Sequence, residues 1–142
     1  MKKLLIAIGC ALSIQFSYAQ KSAYSELPDR LYTQGKEMFH DNNYTGCINT
    51  LQEFKKVSKD ANLNAEADYM IVSSYFYQGK ENVGYQLKDF LEEHPETYHR
   101  NQICFFIGSV HFAEKDWQRA IFWFDEVEMD YLSVSDQEDY SY

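Results

Sequence analysis

The stretch IGSVHFAEKDWQRAIFWF, residues 107–124, predicts two short amphipathic helices separated by a polar turn. After the turn, apolar side chains recur at steps of three and four residues, the spacing of one helix face: Trp117, Ala120, Ile121 and Phe124. The turn is Glu114-Lys115-Asp116, and the Asp116 carboxylate can accept a hydrogen bond from a free backbone N–H of the following helix. The stretch therefore predicts a helical hairpin.

The same pattern occurs three times in the chain, at a spacing of 36 to 37 residues. Equivalent positions hold Tyr32, Tyr69 and Phe105, then Gly35, Val72 and Gly108, then Phe39, Phe76 and Phe112. Self-similarity at such a period is typical of units that bury their apolar faces only by stacking on neighbours. We expect an all-α fold, a solenoid of about three stacked helix-turn-helix units plus the start of a fourth.

Two glycines lie inside the helical patterns, where glycine costs about 1 kcal/mol relative to alanine. Gly35 and Gly108 share one register, which predicts a close approach between the two helices of a hairpin. Residues of modest volume are expected on the facing helices: Cys47, Val83 and Ala120.

At these residues the chain resembles the tetratricopeptide repeat family, whose unit is a helix-turn-helix stacked into a right-handed superhelix. Residues 115–121 (KDWQRAI) and 42–48 (NNYTGCI) match the turn and second helix of the family pattern, with cysteine in the alanine place of the latter. Residues 79–84 (GKENVG) depart from it, with a turn predicted one residue short, no turn aromatic and Val83 for alanine. The resemblance covers residues 28–132 and implies a non-enzymatic scaffold that binds other proteins.

The predicted organisation begins with a signal peptide. Lys2 and Lys3, an apolar run over residues 4–14 and Ser17-Tyr18-Ala19 form the pattern of a cleaved secretory signal. Lipidation at Cys10 is the alternative. We expect export to the periplasm or outer envelope of a Gram-negative bacterium, since a Gln after the cut resembles exported Bacteroides proteins. The predicted segments are a signal at 1–19, a flexible lead at 20–27, repeats at 28–63, 64–100 and 101–134, and the start of a further repeat at 135–142.

Charge and composition limit the partners. The formal net charge of −9 becomes −11 when Lys2 and Lys3 leave with the signal. An acidic chain is a poor partner for nucleic acid or an anionic membrane. No segment after the signal reaches the roughly 18 uninterrupted apolar residues of a membrane span.

The sequence contains no pattern that predicts a cofactor, a metal site or catalysis. It has no phosphate-binding glycine loop, nucleophile elbow or paired-cysteine metal motif. Cys47 and Cys104 fall a whole unit apart and are predicted to be buried thiols without a disulfide. His94 and His99 are expected in an exposed polar loop, and His111 in a core.

The resemblance also implies where a partner binds. In this family the first helix of each unit lines the concave face, so these helices should present two aromatic rows with an acidic or amide rim. The inner positions carried over include Glu66, Ser73, Gln102 and Ser109; the predicted partner-binding residues are Tyr32, Lys36, Phe39, Tyr69, Phe76, Tyr77, Phe105 and Phe112. The same aromatics could serve packing alone, a possibility that the sequence leaves open.

The function predicted is protein–protein interaction through this aromatic groove, with the partner unidentified. One alternative is a glycan-binding module that uses the same rows, and another is the sensory front end of a longer receptor. Phe122, Trp123, Phe124 and Val127 are expected to lack cover, so the array should continue past Tyr142 or be covered by a partner or a second copy.

Overall fold

The structure, a computed structural model, describes residues 26–128 of the chain. Within that range the chain consists of helices and turns, with no β-strand. The predicted all-α class is therefore confirmed. The helices are α1 (residues 26–40 of the described range), α2 (Tyr44–Val57), α3 (Ala61–Tyr77), α4 (Val83–Glu93), α5 (Arg100–Ala113) and α6 (Trp117–Asp125).

Helices that follow one another along the chain pack side by side, as expected of a helical repeat. One hydrophobic cluster joins α1, α2 and α3, and a second joins α3 to α6. Tyr69 and Tyr75 pack against both clusters, so α3 connects the two halves of the core. The fully buried apolar residues are Cys47, Leu51, Phe54, Ala67, Leu87, Ile103, Cys104, Phe106 and Ile107.

The three hairpin turns share one hydrogen-bonded geometry. Asn42, Gly79 and Lys115 each adopt a left-handed conformation, with φ of 57°, 62° and 62°. In each turn the left-handed residue donates its N–H to the carbonyl three residues earlier, and the next residue donates to the carbonyl five residues earlier. This is the Schellman arrangement that ends many helices. The sequence repeat is therefore also a repeat of backbone geometry at α1, α3 and α5.

The second hairpin differs from the other two after its Schellman turn. Five residues separate α3 from α4, whereas three separate the helices of each other hairpin. The prediction of a turn one residue short is therefore wrong. Asn82 lies in a left-handed conformation, and its side chain does not cap α4. Helix α4 therefore lacks the first helical turn that α2 and α6 have directly after their hairpin turns.

A pair of substitutions tests these turns. Lys115→Gly should raise the free energy of unfolding by about 0.5–1 kcal/mol, because glycine adopts the left-handed region without a Cβ penalty. Gly79→Ala should lower it by about 1 kcal/mol, since a Cβ there meets no atom within 4 Å and only the backbone conformation contributes. Equilibrium urea unfolding of both variants measures the two changes. Effects of the same sign would contradict the shared geometry.

As predicted, side-chain caps begin the second helix of the first hairpin, α2, and of the third hairpin, α6. Asn43 and Asp116 each accept a hydrogen bond from the backbone N–H three residues later, at 3.1 and 3.3 Å. Asp60, which the sequence analysis did not single out, caps α3 by accepting two backbone N–H groups at 2.9 and 3.1 Å. Such caps satisfy donors that the first helical turn leaves free.

The helical glycines lie where two helices approach closely. A Cβ built on Gly35 would lie 2.4 Å from Leu51 Cδ2, and one on Gly108 would lie 2.5 Å from the Phe124 ring. Real Cβ atoms essentially never make such contacts, so in both hairpins the glycine lets a large side chain of the facing helix approach the helix backbone closely. The facing residues of modest volume are buried: Cys47, Val83 and Ala120.

Cys47 and Cys104 are free, fully buried thiols, as predicted. Burial raises the pKa of both thiols above the ordinary value, because the thiolate is poorly solvated in an apolar core. The two side chains behave as small apolar residues in separate clusters.

The last described helix, α6, buries only part of the apolar surface that was expected to lack cover. Phe124 and Trp123 are half-buried and pack on the second cluster. Phe122 and its neighbour Ile121 are both 59% exposed. What covers them stays a prediction.

Several predictions concern residues outside the described range. They are the signal peptide at 1–19, lipidation at Cys10, most of the lead at 20–27, the end of repeat three and the further repeat at 135–142. Within residues 26–128, each helix is too short or too polar to cross a bilayer.

Candidate binding groove

A cleft of about 270 Å³ crosses the first helix of each hairpin, near the ends of α1 and α3. Its walls come from α1, α3 and α5 and from the turn that precedes α2. We call it the aromatic groove, and its lining residues are Phe39, His40, Asn42, Tyr44, Tyr69, Tyr77 and Gln102.

The Schellman turns place the groove's outer aromatic side chains. Phe39 and Tyr77 lie just before the turns that end α1 and α3, and Tyr44 opens α2. The rings of Tyr44 and Tyr77 stack with centroids 5.1 Å apart and planes 17° apart. Phe39 lies 6.2 Å from Tyr44 and 6.5 Å from Tyr77. These contacts fix an aromatic wall that crosses from the first hairpin to the second.

Tyr69 forms the inner wall through a long-range stack. Its ring lies parallel to the His99 imidazole, with centroids 3.5 Å and planes 5° apart. His99 Nε2 in turn lies 3.0 Å from a Glu66 carboxylate oxygen. The Tyr69 ring is thus held between its neighbours in the core and a histidine that the next hairpin supplies.

His94 and His99 lie in the loop between α4 and α5, as expected, but the expectation that they are exposed is wrong. Their side chains are 22% and 26% exposed, and each faces a carboxylate of α3. The sequence could not show this, because Glu66 and His99 are 33 residues apart and no local pattern links them.

Three of the eight predicted partner-binding residues meet in the groove: Phe39, Tyr69 and Tyr77. Tyr77 is the most open of the three, at 45% exposure. Asn42, Tyr44, His40 and Gln102 complete the lining. Tyr44 was not predicted as a site residue, although its place as the turn aromatic of the first unit was the available signal.

The other five predicted residues lie elsewhere. Phe76 stacks on Phe106 at 4.0 Å and belongs to the edge of the core. Tyr32 is half-buried against Phe54, with ring centroids 5.3 Å apart. Burial, and then the negative charge of Glu66, raise the pKa of Tyr32. Lys36 is exposed and lines a separate shallow cavity beside His40.

The expectation that Phe105 presents an exposed ring on the inner face is wrong. Only 5% of the residue is exposed, because its ring lies against Phe106 and Phe124. Phe112, the penultimate residue of α5, is 57% exposed and makes an edge contact with Trp117 at 5.1 Å. Of these two phenylalanines of α5, only Phe112 is therefore open to solvent.

The groove offers ring faces, hydroxyl groups and amides. None of its lining residues, all within the described range, is lysine or arginine. The Tyr44 hydroxyl donates to Asn42 Oδ1 at 2.7 Å, and burial raises the pKa of that tyrosine. These groups suit a neutral or basic ligand bound by stacking and hydrogen bonds.

One cluster of metal-ligand type occurs outside the groove. Ligand atoms of Asp68, Glu93 and His94 lie within 4.8 Å of one another. Lys55 already forms an ion pair with Asp68, and His94 Nε2 lies 3.4 Å from the same carboxylate. The cluster therefore has its own cation, and a divalent metal would have to displace it.

Comparison with known protein families, with curated proteins and with solved structures finds no match for this chain.

Proposed function

We propose that this chain is a non-enzymatic, exported scaffold of the tetratricopeptide repeat kind, which binds a protein or peptide through the aromatic groove. The support for the repeat is the recurrence of one turn geometry at Asn42, Gly79 and Lys115, in step with the sequence period. Residues 2–19 support export, and a Gram-negative envelope, periplasmic or outer, is the proposed location.

The observation that carries the binding proposal is the composition of the groove. One cleft takes its walls from the first helices of all three hairpins, and four of its seven lining residues are aromatic. Buried aromatic side chains contribute much of the free energy of many protein interfaces. An extended or helical segment that crosses the hairpins would contact each of them in turn.

Charge narrows the expected partner. Glu37 and Asp41 line the cavity beside the groove, Glu66 lies behind Tyr69, and the whole chain is acidic. Complementary charge raises association rates and disfavours acidic competitors. We therefore expect a peptide with an apolar or aromatic anchor flanked by basic residues.

A glycan is the second candidate, and the 45% exposure of Tyr77 favours it. A sugar ring binds best to an open aromatic face, and the facing sides of Tyr44 and Tyr77 are occupied by each other. The stacked pair therefore suits an apolar side chain inserted beside it better than a sugar laid upon it.

A selection experiment separates the two ligand classes. The immobilised chain is offered a displayed library of random peptides and, separately, a panel of soluble oligosaccharides. We expect enrichment of a shared peptide motif that Tyr77→Ala no longer retains. Saturable binding of oligosaccharides without peptide enrichment would replace the proposal with the glycan alternative.

Two neighbouring aromatic residues, Tyr77 and Phe76, are expected to differ in role, the first in binding and the second in packing. Tyr77→Ala should weaken the affinity for a selected peptide at least tenfold while lowering the free energy of unfolding by only about 1 kcal/mol, because the side chain is half exposed. Phe76→Ala should cost about 2–3 kcal/mol of stability, since its ring stacks on the buried Phe106. Peptide titration and urea unfolding measure both quantities. A Phe76→Ala variant that is stable but has lost the peptide would reverse the assignment.

A further inference from the structure

A second cavity, of about 410 Å³, lies between α4, α5 and the start of α6 and shares no lining residue with the aromatic groove. Three of its lining side chains belong to residue types that can carry a positive charge: Lys88, His111 and Arg119. In a chain of net charge −9, such a group of donors around one cavity calls for a physical reason.

Lys88 is a half-buried cation without a carboxylate partner in the described part of the chain. Its Nζ lies 3.2 Å from His111 Nε2 and 5.8 Å from the centre of a Trp123 ring. A partly desolvated ammonium group is stabilised by an anion far more than by an imidazole or a ring face. The side chain therefore has an unmet preference for a negative charge.

His111 supplies a second unmet donor at the cavity wall. The residue is only 6% exposed, and its Nδ1 makes no hydrogen bond within residues 26–128. Lysine only donates, so the contact with Lys88 makes Nε2 the acceptor and places the ring proton of a neutral imidazole on Nδ1. The nearest carboxylate oxygen, on Glu114, is 3.4 Å from Nδ1 and not aligned for a hydrogen bond.

The start of α4 adds the positive end of a helix dipole. This helix of 11 residues has no side-chain cap at Asn82, and α5 has none at His99, whereas α2, α3 and α6 are capped. Asn82, Gly84 and Tyr85 line the cavity, so the uncapped end borders the same space as Lys88 and His111. The N–H groups of Val83 and Tyr85 already donate to backbone carbonyls, whereas the Gly84 N–H makes no such bond among the described residues. Helix starts attract anions through such free N–H groups and the helix dipole.

Two further charges border the cavity. Arg119 is 69% exposed and uses Nη1 for an ion pair with Asp116, which leaves other guanidinium N–H groups. Glu114 is the one acidic lining residue, and its side chain is 62% exposed, so it can turn toward solvent when an anion enters.

We propose that this cavity binds an oxyanion, a carboxylate or phosphate group of a small ligand. Lys88 holds the charge, the His111 Nδ1–H and the Gly84 N–H donate to its oxygens, and Arg119 closes the outer side. The cation without a carboxylate partner, the buried ring donor without an acceptor and the uncapped helix start are all accounted for by one bound group.

NMR titration of the whole chain tests the proposal. Inorganic phosphate and, in a parallel series, succinate are added against sodium chloride at constant ionic strength. We expect saturable amide shifts at Gly84 and Tyr85 with at least one of the two anions. The anion bound more tightly identifies the source as phosphate or carboxylate. Shifts that do not saturate with either anion would overturn the proposal.

Three charge-neutralising variants complete the test: two alter the cavity, and the third is the control outside it. Lys88→Gln should weaken binding about tenfold or more, as expected for loss of a hydrogen bond to a charged group. Arg119→Gln, at an exposed position, should weaken binding severalfold and tests the site even if Lys88→Gln folds poorly. Lys59→Gln removes the same charge in the loop before α3 and should leave affinity unchanged. Equal affinity in all three variants would contradict a built site.

Discussion

Replacing Phe106 by alanine should lower the free energy of unfolding by about 3–5 kcal/mol. The Phe106 side chain is fully buried in the second core cluster. It stacks on Phe76 at 4.0 Å and meets the Tyr77 ring edge-on at 5.4 Å, so it connects α5 to the groove-bearing end of α3. Its removal leaves a cavity and also withdraws the support behind the groove.

Phe112→Ala is the matched control for Phe106, because both are phenylalanines on α5. Phe112 is 57% exposed and should cost about 1 kcal/mol or less. Equilibrium urea unfolding of the two variants gives the difference. A loss of similar size in both would mean that α5 does not bury Phe106 in the way described.

Gly35→Ala should destabilise the protein by about 1–3 kcal/mol, although alanine is the better helix former. An added Cβ would lie 2.4 Å from Leu51 Cδ2 and 2.6 Å from Leu51 Cγ, and the Leu51 side chain is fully buried between neighbours. The clash must therefore push α1 and α2 apart. The expected sign is opposite to the gain of about 1 kcal/mol that helix propensity alone predicts.

Gly84→Ala is the control for the sign of the stability change expected at Gly35. Its added Cβ would meet only Val110 Cγ1 at 3.4 Å, an ordinary contact, so the helix-propensity gain should remain and raise stability by about 0.5–1 kcal/mol. Thermal unfolding or urea unfolding of both variants measures the two signs. Stabilisation by Gly35→Ala would contradict the close approach of the first hairpin.

The features that sequence analysis predicted correctly are those with local causes. The helix pairs, the caps at Asn43 and Asp116 and the close approach at Gly35 follow from spacing, hydrogen-bonding capacity and side-chain volume over a few residues. Each of these properties acts within one hairpin. A single sequence was therefore sufficient to predict them.

The site was predicted less well, because exposure depends on contacts between hairpins. Tyr69 and Phe105 occupy the same register, yet Tyr69 lines the groove while Phe105 is covered by Phe124 of the following helix. The stack of Tyr69 on His99 joins residues from different hairpins. Repeat position alone cannot distinguish these cases.

The second hairpin shows a different limit. Its Schellman turn at Gly79 follows the repeat, but the missing cap at Asn82 lengthens the connection to α4. Aligning residues 79–84 with the other two turns does not reveal this change, because the alignment matches residues one to one and does not show where α4 begins. The uncapped helix start that results borders the proposed oxyanion cavity.

Site-specific photocrosslinking in the producing cell tests the aromatic groove most directly. A photoreactive phenylalanine analogue replaces Tyr77 in one variant and Tyr85, an exposed tyrosine of α4 away from the groove, in the other. We expect a discrete crosslinked protein with the analogue at Tyr77 and none with it at Tyr85. Equal crosslinking at both positions, or a discrete product at Tyr85 alone, would contradict the groove as the binding surface.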